Sequence, residues 1–399
     1  MECAGKRFGA SLRTAAARFR DNWAARVPLW CTALLLVAAS RLLMVLTYGV
    51  WHRLGGQAAS FFDAMYQFDC NWYAEIAQQG YRGLSAIHIE GGQAPWAFFP
   101  LFPYLAGAFM RLTGLSAQVA GVVLNTGILF LLTWAAGAYV NLLGGGRCFR
   151  FTAMLLLTFG PYSVYYSAFY SEALFGLLVC LFFYCMRKKW WLRMGLCGLL
   201  AGVTRNTGIF LVFAVLVYCV VEYRHGADGK TRSLPGFVRQ VLGNPLLVLG
   251  VCLIPLGFFC HMLYLDHLVG DGMAFTHVMG SWSRTISNPV SVLFKDLLNL
   301  GSAGFYLALW GVMGLYLGCR ALRRRPPEGV MACLLVLVPM CTMLDSMPRY
   351  MFCACPVLLE AADLLSGKGR LEKVFWYGFA LLLGVITTWQ WFAGSLIMM

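Results

Sequence analysis

Residues 246–265 read LLVLGVCLIPLGFFCHMLYL, an apolar run in which His261 is the only Asp, Glu, Lys, Arg or His. A helix rises about 1.5 Å per residue, so a run of this length can cross roughly 30 Å of hydrocarbon. Comparable apolar runs occupy three further places in the chain: Trp30–Val50, Val119–Val140 and Val374–Met398. We therefore predict an all-α polytopic membrane protein.

The composition agrees with a membrane protein and excludes several soluble classes. Of the 399 residues, 60% are hydrophobic and 12% are charged, and the mean hydropathy is +0.69. A soluble chain of this length needs more polar surface to cover its cores. The 15 cysteines form no CxxC pair and no His/Cys zinc spacing, so we predict neither a disulfide framework nor a metal site. Walker A, GxGxxG, HExxH and GxSxG motifs are absent, which leaves ATP hydrolysis, zinc proteolysis and serine-esterase chemistry without support.

Hydropathy predicts about 11 spans within a single membrane domain over residues 1–399. The predicted spans are 28–50, 117–142, 150–167, 171–187, 190–206, 208–222, 245–267, 299–319, 329–346, 350–366 and 374–396. They leave two sizeable loops on one side of the membrane, residues 51–116 and 268–298. The apolar stretch Trp96–Met110 contains two prolines, and we interpret it as an interfacial or re-entrant piece of the first loop.

The distribution of charge predicts which side these loops face. The net charge is +14, and 23 of the 31 Lys and Arg residues fall in the N-terminus and in alternate loops, against 7 on the opposite side. Positive charge marks cytoplasmic loops. Residues 1–27 are therefore predicted to be a basic cytoplasmic N-terminus, and residues 51–116 and 268–298 to be external loops that carry short amphipathic helices. This topology explains the charge without nucleic acid as a partner, and membrane lipids are the expected surroundings.

The segment after the first predicted span places an acid among aromatic residues. It contains Phe68, Asp69, Trp72 and Tyr73, and helical spacing brings the last two onto the face of Asp69. An acid at membrane depth is costly and is a functional candidate for that reason. The alternative is an interfacial amphipathic helix with solvated acids, which the spacing alone favours slightly.

Three more polar positions interrupt the apolar runs, and each has a structural alternative. Glu172 begins an apolar helix, where it can complement the helix dipole with Ser171 as the N-cap. Arg205 and Asn206 mark either a turn between two spans or a polar cavity, and an arginine in the membrane needs an anionic partner. Arg349 lies either in a short external turn or at a site.

The second predicted external loop contributes further polar and aromatic side chains. They are Asp266, His267, Asp271, His277, Trp282 and Arg284. Two histidines and two aspartates invite a metal interpretation, but their spacing matches no known ligand pattern, and we do not predict a metal site here.

At these clusters the sequence resembles the PIG-V family of polyprenyl-phosphate-mannose-dependent mannosyltransferases, which includes GPI mannosyltransferase 2 and related bacterial proteins. The matching stretches, in the order of the family, are Phe68–Asp69 through Tyr81, AFFPLFP at 97–103, YSEALF at 170–175, GVTRN at 202–206, and Arg349–Tyr350 near Pro356. The family often has Trp-Asp where this chain has Phe68–Asp69, and the chain is shorter than typical eukaryotic members. These departures favour a bacterial member over one that acts on a GPI precursor.

The resemblance implies a GT-C-type transmembrane helix bundle and a glycosyltransferase. Such an enzyme takes a hexose, with mannose expected here, from a polyprenyl (dolichyl-type) phosphate on the extracytoplasmic face and passes it to a lipid-linked or glycan acceptor. The family places its essential acid in the first external loop, where Asp69 stands. The implied location is the bacterial cell membrane, or the endoplasmic reticulum membrane for a eukaryotic protein.

The implied reaction is a direct, inverting, metal-independent transfer without a cofactor. The predicted catalytic acids are Asp69, as the base that accepts the acceptor's proton, and Glu172, which orients the acceptor or holds an arginine. Arg205 and Arg349 are predicted to bind the donor phosphate. The predicted substrate-binding residues are Phe68, Trp72, Tyr73, Asn206 and Trp282.

Two rival functions from other classes remain open at this point. A carrier or flippase for lipid-linked sugars also places charges in a cavity between spans, but it needs them near the bilayer midplane and reachable from both faces. A non-catalytic subunit would only pack against a transferase. The gathering of acids and arginines on one predicted face, without an inverted repeat, favours the enzyme.

Overall fold

The computed structural model describes residues 27–81, 92–226, 233–352, 355–395 and 398. The predicted basic N-terminus, residues 1–27, lies outside this described part except for its last residue. Residues 82–91 of the first predicted external loop also lie outside it. Over the described ranges the secondary structure is helical, and no β-strand occurs in them.

Eighteen α-helices follow one another in the described ranges, and we number them in chain order. They are α1 Leu29–Arg53, α2 Phe61–Met65, α3 Cys70–Gln79, α4 Leu101–Thr113, α5 Ala117–Leu142, α6 Arg147–Phe159, α7 Glu172–Arg187, α8 Trp191–Thr204, α9 Leu211–Gly226, α10 Leu234–Leu242, α11 Pro245–Val269, α12 Ala274–His277, α13 Pro289–Leu298, α14 Ala303–Arg324, α15 Pro326–Met340, α16 Met347–Phe352, α17 Cys355–Ser366 and α18 Arg370–Phe392. Short 3₁₀ helices lie at Pro95–Ala97, Ser163–Tyr166, Asn206–Phe210 and Val278–Trp282.

Six helices of the described part are long and apolar enough to cross a bilayer. They are α1, α5, α11, α14, α18 and the segment Asn206–Arg224, which joins a 3₁₀ turn to α9. Each coincides with a span predicted from hydropathy. The prediction of an all-α, multi-pass membrane protein is therefore confirmed.

The predicted number of 11 spans is not confirmed. The other five predicted spans fall on α6, α7, α8, α15 and α17, which have 12 to 16 residues. Helices of this length extend roughly 18–24 Å, less than the hydrocarbon thickness. They are short because turns break them: α6 ends at Phe159, before Gly160 and Pro161, α8 ends at Thr204, before Arg205, and α15 ends at Met340, just after Pro339.

The stretch Trp96–Met110 forms a 3₁₀ turn and most of α4, a helix of 13 residues. Helix α4 packs against α3 and α5. At Gly107 the backbone of α3 approaches so closely that an added Cβ would lie 2.3 Å from the carbonyl oxygen of Ala77. The glycine is therefore required for the close packing that fixes α3, and α3 carries candidate site residues.

Helix α7 lies at the centre of the bundle, and its side chains are buried on all sides. It packs against α5, α8 and α17. Helices α8 and α11 make the most extensive contact, through small residues, and a Cβ on Gly195 would lie 2.5 Å from the carbonyl oxygen of Gly250. Such backbone approach through small residues is how helices associate where lipid removes the hydrophobic driving force.

The end of the bundle that carries the predicted cytoplasmic charges is joined by ion pairs. Arg187, at the end of α7, forms a bond of 2.7 Å to Glu328, which is 3% exposed. Around the turn from α14 to α15, Arg320 and Arg325 both bind the fully buried Glu360 of α17. These pairs hold the ends of α7, α14, α15 and α17 together.

Candidate functional site

Asp69 lies in the turn between α2 and α3, where the backbone is held in an unusual conformation. Phe68 has a φ of 52°, in the left-handed region that bulky residues rarely adopt. The Phe68 ring packs edge-on against Trp391, with centroids 5.3 Å apart. The backbone N–H of Asp69 donates a 2.9 Å hydrogen bond to the hydroxyl of Tyr170. Contacts on both sides of the peptide chain therefore fix the position of Asp69.

The carboxylate of Asp69 is ion-paired and partly exposed. Although Asp69 stands at the start of α3, its side chain makes no capping hydrogen bond. Its Oδ2 accepts a bond of 3.0 Å from Nη1 of Arg349. The side chain is 24% exposed. Among the described residues this is the only hydrogen bond to the carboxylate, and Oδ1 accepts none from them.

Glu172 is the first residue of α7 and is completely buried. Its Oε1 accepts hydrogen bonds of 2.5 Å from Nη1 of Arg205 and 2.5 Å from Nε of Arg349. Ser171 does not cap the helix through its side chain, and its hydroxyl instead bonds Tyr73 at 2.9 Å. The Oε2 atom is buried and has no hydrogen-bond partner within the described part of the chain.

Arg205 lies where the chain breaks between α8 and the following 3₁₀ turn. Its backbone is extended, with φ −153° and ψ 144°. Its guanidinium group lies 5.2 Å from the ring centre of Tyr350, in addition to its bond to Glu172. The predicted need of this arginine for an anionic partner is therefore met by Glu172.

Arg349, on α16, joins the two acids. Its Nη1 binds Asp69 and its Nε binds Glu172, while the ring of Tyr170 lies 4.7 Å from the guanidinium carbon. The four residues Asp69, Glu172, Arg205 and Arg349, which we call the charge cluster, thus form a continuous chain of ion pairs. They come from four separate places in the sequence.

The charges of the cluster sum to zero, which makes its burial tolerable. An isolated buried charge is costly, and paired charges with satisfied hydrogen bonds reduce that cost. The neighbouring Tyr73 stays neutral, because burial raises the pKa of its phenol well above the usual range. Tyr73 therefore contributes a neutral hydroxyl to the hydrogen bond with Ser171.

The turn before α7 is fixed from α5. The side-chain amide of Asn125 donates hydrogen bonds to the backbone carbonyls of Ala168 and, at 2.9 Å, of Tyr170. Asn125 is fully buried. Since this turn carries Tyr170 and leads into Glu172, Asn125 positions two groups that contact the charge cluster.

Aromatic side chains from the two predicted external loops meet beside the cluster. Trp72 is stacked on Phe98, with ring centroids 6.0 Å apart, and meets Trp282 edge-on at 5.9 Å. Tyr73 is buried against Phe98 and lies inside this group. The structure thus brings together the predicted substrate-binding residues Phe68, Trp72, Tyr73 and Trp282 near Asp69. Asn206 differs from them, since it is exposed at the start of its 3₁₀ turn.

Sequence reasoning assigned no role to several residues that lie at the site. Tyr350 contacts both arginines of the cluster, and Arg284 from the second loop reaches Tyr350. Both lie within or beside stretches that the sequence marked as polar. Trp391, on α18, gave no signal because it sits in an apolar run of aromatic residues far along the chain.

A cavity of about 560 Å³ opens beside the turn that leads to Asp69. Its polar lining includes Asp63 and Gln67, and its aromatic lining includes Trp51, Trp389 and Phe392. Gln67 is two residues before Asp69. Aromatic faces with nearby carboxylate and amide groups suit a ligand that is rich in hydroxyl groups.

The histidines of the second predicted loop do not assemble a metal site. Within the described ranges no group of three His, Cys, Asp or Glu side chains is placed to hold a metal ion. His277 bonds Asp271 at 2.7 Å, and this hydrogen bond lowers the pKa of the Asp271 carboxyl group below its usual value. Both side chains of the pair are exposed at the surface.

The fold and the site define a multi-pass helical membrane protein with a buried, charge-neutral cluster of acids and arginines. A scan of protein-family models and a search of curated proteins found no match. Membership of the PIG-V family therefore stays a prediction.

Solved structures of similar helical arrangement exist. One is the oligosaccharyltransferase of Archaeoglobus fulgidus in complex with zinc and sulfate, at 13% identity and a TM-score of 0.46, covering 90% of this chain and 53% of that chain. Another is oligosaccharyltransferase AglB from the same organism, in complex with an inhibitory peptide and a dolichol-phosphate, at 12% identity and 0.45, covering 91% and 56%. This chain spans little more than half of the length of these proteins, and the likeness is a distant one.

Proposed function

We propose that the chain is a membrane glycosyltransferase of the GT-C type. It would move a hexose, with mannose as the expected sugar, from a polyprenyl phosphate to a lipid-linked or glycan acceptor. The sequence motifs shared with the PIG-V family support this proposal, because four of the motifs supply the four members of the charge cluster. We further propose that the site faces the extracytoplasmic side, in a bacterial cell membrane.

The observation that carries the proposal is the solvent exposure of the Asp69 side chain. Its side chain is 24% exposed, whereas those of Glu172, Arg349 and Arg205 are 0%, 7% and 12% exposed. Asp69 is therefore the member of the cluster that a substrate reaches most easily. Arg349 holds one carboxylate oxygen, and the other can accept a proton from a bound hydroxyl group.

The proposed reaction is a single displacement at the anomeric carbon. The acceptor oxygen forms a bond to C1 of the sugar, and the bond from C1 to the phosphate oxygen breaks with its electron pair passing to the polyprenyl phosphate. Asp69 takes the proton of the acceptor hydroxyl. Attack from the face opposite the leaving group inverts the configuration at C1.

Glu172 serves best as a positioning residue in this scheme. Because it is fully buried and binds two guanidinium groups through one oxygen, it fixes the orientation of Arg205 and Arg349 rather than touching the substrate. We propose that these arginines use their remaining N–H groups toward the donor phosphate. We also propose that the acceptor reaches Asp69 through the cavity that Gln67 lines.

Purified protein with radiolabelled polyprenyl-phosphate mannose tests the proposal directly. Wild-type protein should transfer label to an acceptor in a membrane-lipid extract, and the Asp69→Asn variant should not. Movement of intact labelled donor across a vesicle membrane, without transfer, would support a carrier instead. If neither transfer nor transport occurs with any acceptor extract, the enzymatic proposal is wrong and a non-catalytic subunit becomes the better interpretation.

A further inference from the structure

A third arginine lies beside the charge cluster and belongs to the second predicted external loop. Arg284 is partly buried. Its Nη2 donates a hydrogen bond of 3.1 Å to Oγ of Ser346, and its Nη1 lies 3.4 Å from the hydroxyl of Tyr350. Ser346 lies three residues before Arg349 and Tyr350 immediately after it, so Arg284 contacts the segment that carries Arg349.

Arg284 differs from the other arginines of the site in what it contacts. Arg205 and Arg349 are each bound to a carboxylate, and the charge cluster has no net charge. Arg284 bonds two neutral hydroxyl groups, and it forms no ion pair with any acid of the described ranges. Counted over the described residues, the charge cluster and Arg284 together therefore carry one net positive charge, which Arg284 supplies.

Tyr350 links this charge to the cluster. Its hydroxyl contacts Arg284, while its ring lies 5.2 Å from the guanidinium carbon of Arg205. On the other side, Trp282, two residues before Arg284, meets Trp72, three residues after Asp69. The segments that carry Arg284 and Asp69, one from each predicted loop, are thus in contact with each other.

The residue before Arg284 has the same unusual backbone conformation as the residue before Asp69. Ser283 has a φ of 56°, and Phe68 has a φ of 52°. Each is a non-glycine residue in the left-handed region, and each immediately precedes a charged residue of the site. The backbone N–H of Arg284 is also fixed, through a bond of 3.2 Å to the carbonyl of Met279. Unfavourable backbone conformations of this kind persist where the surroundings enforce them, and they cluster at functional sites.

We propose that Arg284 binds the phosphate of the isoprenoid carrier and makes the site selective for an anionic lipid. The inference rests on the proposed function for the identity of the carrier. A sugar phosphodiester carries one negative charge, and the phosphate monoester that leaves gains a second one when the C1–O bond breaks. A fixed guanidinium group that has no carboxylate partner among the described residues stabilises that developing charge, and its planar fork fits two phosphate oxygens.

The test measures binding of synthetic polyprenyl phosphate to purified protein, with the uncharged polyprenol as the comparison ligand. Arg284→Gln removes the charge but keeps an amide N–H that can still bond Ser346 or Tyr350. It should weaken polyprenyl phosphate binding by about ten- to a hundred-fold and leave polyprenol binding unchanged. Lys295→Ala, at an exposed lysine of the same predicted loop, is the matched control and should bind like the wild type.

Salt provides a second readout that a merely structural role would not alter. Wild-type affinity for polyprenyl phosphate should fall as salt rises, and this dependence should be smaller in Arg284→Gln. If Arg284→Gln binds polyprenyl phosphate as tightly as the wild type does, or if it loses polyprenol binding equally, the inference is wrong. Wild-type protein that binds polyprenyl phosphate through Arg284 but transfers no sugar would instead refute the proposed function alone.

Discussion

Replacing Asp69 by asparagine should remove sugar transfer while the protein stays folded, and replacing Glu172 by glutamine should destabilise the protein. The two acids belong to one cluster, but their surroundings differ. Asp69 is partly exposed and receives one hydrogen bond from an arginine, whereas Glu172 is fully buried and receives two bonds from two arginines. The structure therefore predicts that Asp69→Asn mainly lowers activity and that Glu172→Gln mainly lowers stability.

For Asp69→Asn the stability cost should be smaller than for Glu172→Gln, because the asparagine oxygen can still accept the bond from Arg349 and because water reaches the side chain at position 69, which is 24% exposed. Arg349 also keeps its bond to Glu172. The catalytic cost should be large, since asparagine cannot take the acceptor's proton. Loss of a general base lowers the rate on the order of 10²–10⁴-fold.

For Glu172→Gln the cost falls on stability. The substitution leaves two buried guanidinium groups with one neutral amide oxygen between them. Breaking a buried ion pair by removing one partner costs about 3–5 kcal/mol, because an uncompensated charge stays buried. Any remaining activity should show weakened use of the donor, since both arginines lose their fixed orientation.

The assay measures transfer of labelled mannose and thermal unfolding in detergent for both variants in parallel. Glu75→Gln, on helix α3 six residues after Asp69, is the matched control and should change both quantities little. A well-folded Asp69→Asn variant with near-normal transfer would remove Asp69 from the mechanism and shift attention to Glu172. A Glu172→Gln variant as stable as the wild type would show that its two ion pairs do not hold the cluster together.

Lysine in place of Arg205 or Arg349 should raise the KM for the donor and leave that for the acceptor unchanged, because lysine lacks the planar fork; full activity of both variants would refute a phosphate-binding role. In a variant without reactive native cysteines, a membrane-impermeant reagent applied from outside should label Gln57→Cys and miss Arg323→Cys. The reverse labelling pattern would show that the predicted topology is wrong. Treatment with EDTA should leave transfer unchanged, whereas loss of activity that magnesium or manganese restores would contradict metal independence. Trp389 lines the cavity, so Trp389→Ala should raise the KM for the acceptor and leave the KM for the donor unchanged. An increase in the KM for the donor alone would show that the donor, and not the acceptor, uses this cavity.

The sequence predicted the long helices well because their signal is local. An apolar run such as residues 246–265 specifies its own length, and the structure has a helix, α11, over it. Among the shorter helices, the predicted ends of α7 and α8 agree with the structure within two residues, but the predicted spans at α6 and α15 run on to residues 167 and 346, past the helix ends at Phe159 and Met340. The segment between α6 and α7 is held by a partner that is distant in sequence, since the side chain of Asn125 bonds the carbonyls of Ala168 and Tyr170.

The site was predictable in its members but not in their connections. Glu172 was explained equally well by a helix dipole, and Arg349 by an external turn, because each sequence stretch was considered alone. Only the fold brings Asp69 and Arg349, which are 280 residues apart, within 3.0 Å. Arg284 shows the same limit: in the sequence it stands near histidines and aspartates for which we predicted no metal site, whereas the residues that it contacts, Ser346 and Tyr350, are more than 60 residues away.

The arrangement of charges along α7 bears on the choice between an enzyme and a carrier. Glu172 begins this helix and belongs to the charge cluster, while Arg187 ends it and belongs to the ion pair with Glu328. The two ends lie about 22 Å apart at the usual rise of a helix. Between them the helix carries buried apolar side chains packed against α5, α8 and α17. A carrier needs polar groups near the middle of the bilayer that open alternately to both sides, whereas here a packed apolar layer separates two charged ends. The opposite end is also closed by ion pairs among α14, α15 and α17. The partly exposed Asp69 thus lies at one end of α7 and the ion pairs lie at the other, which supports the proposed enzyme over a carrier.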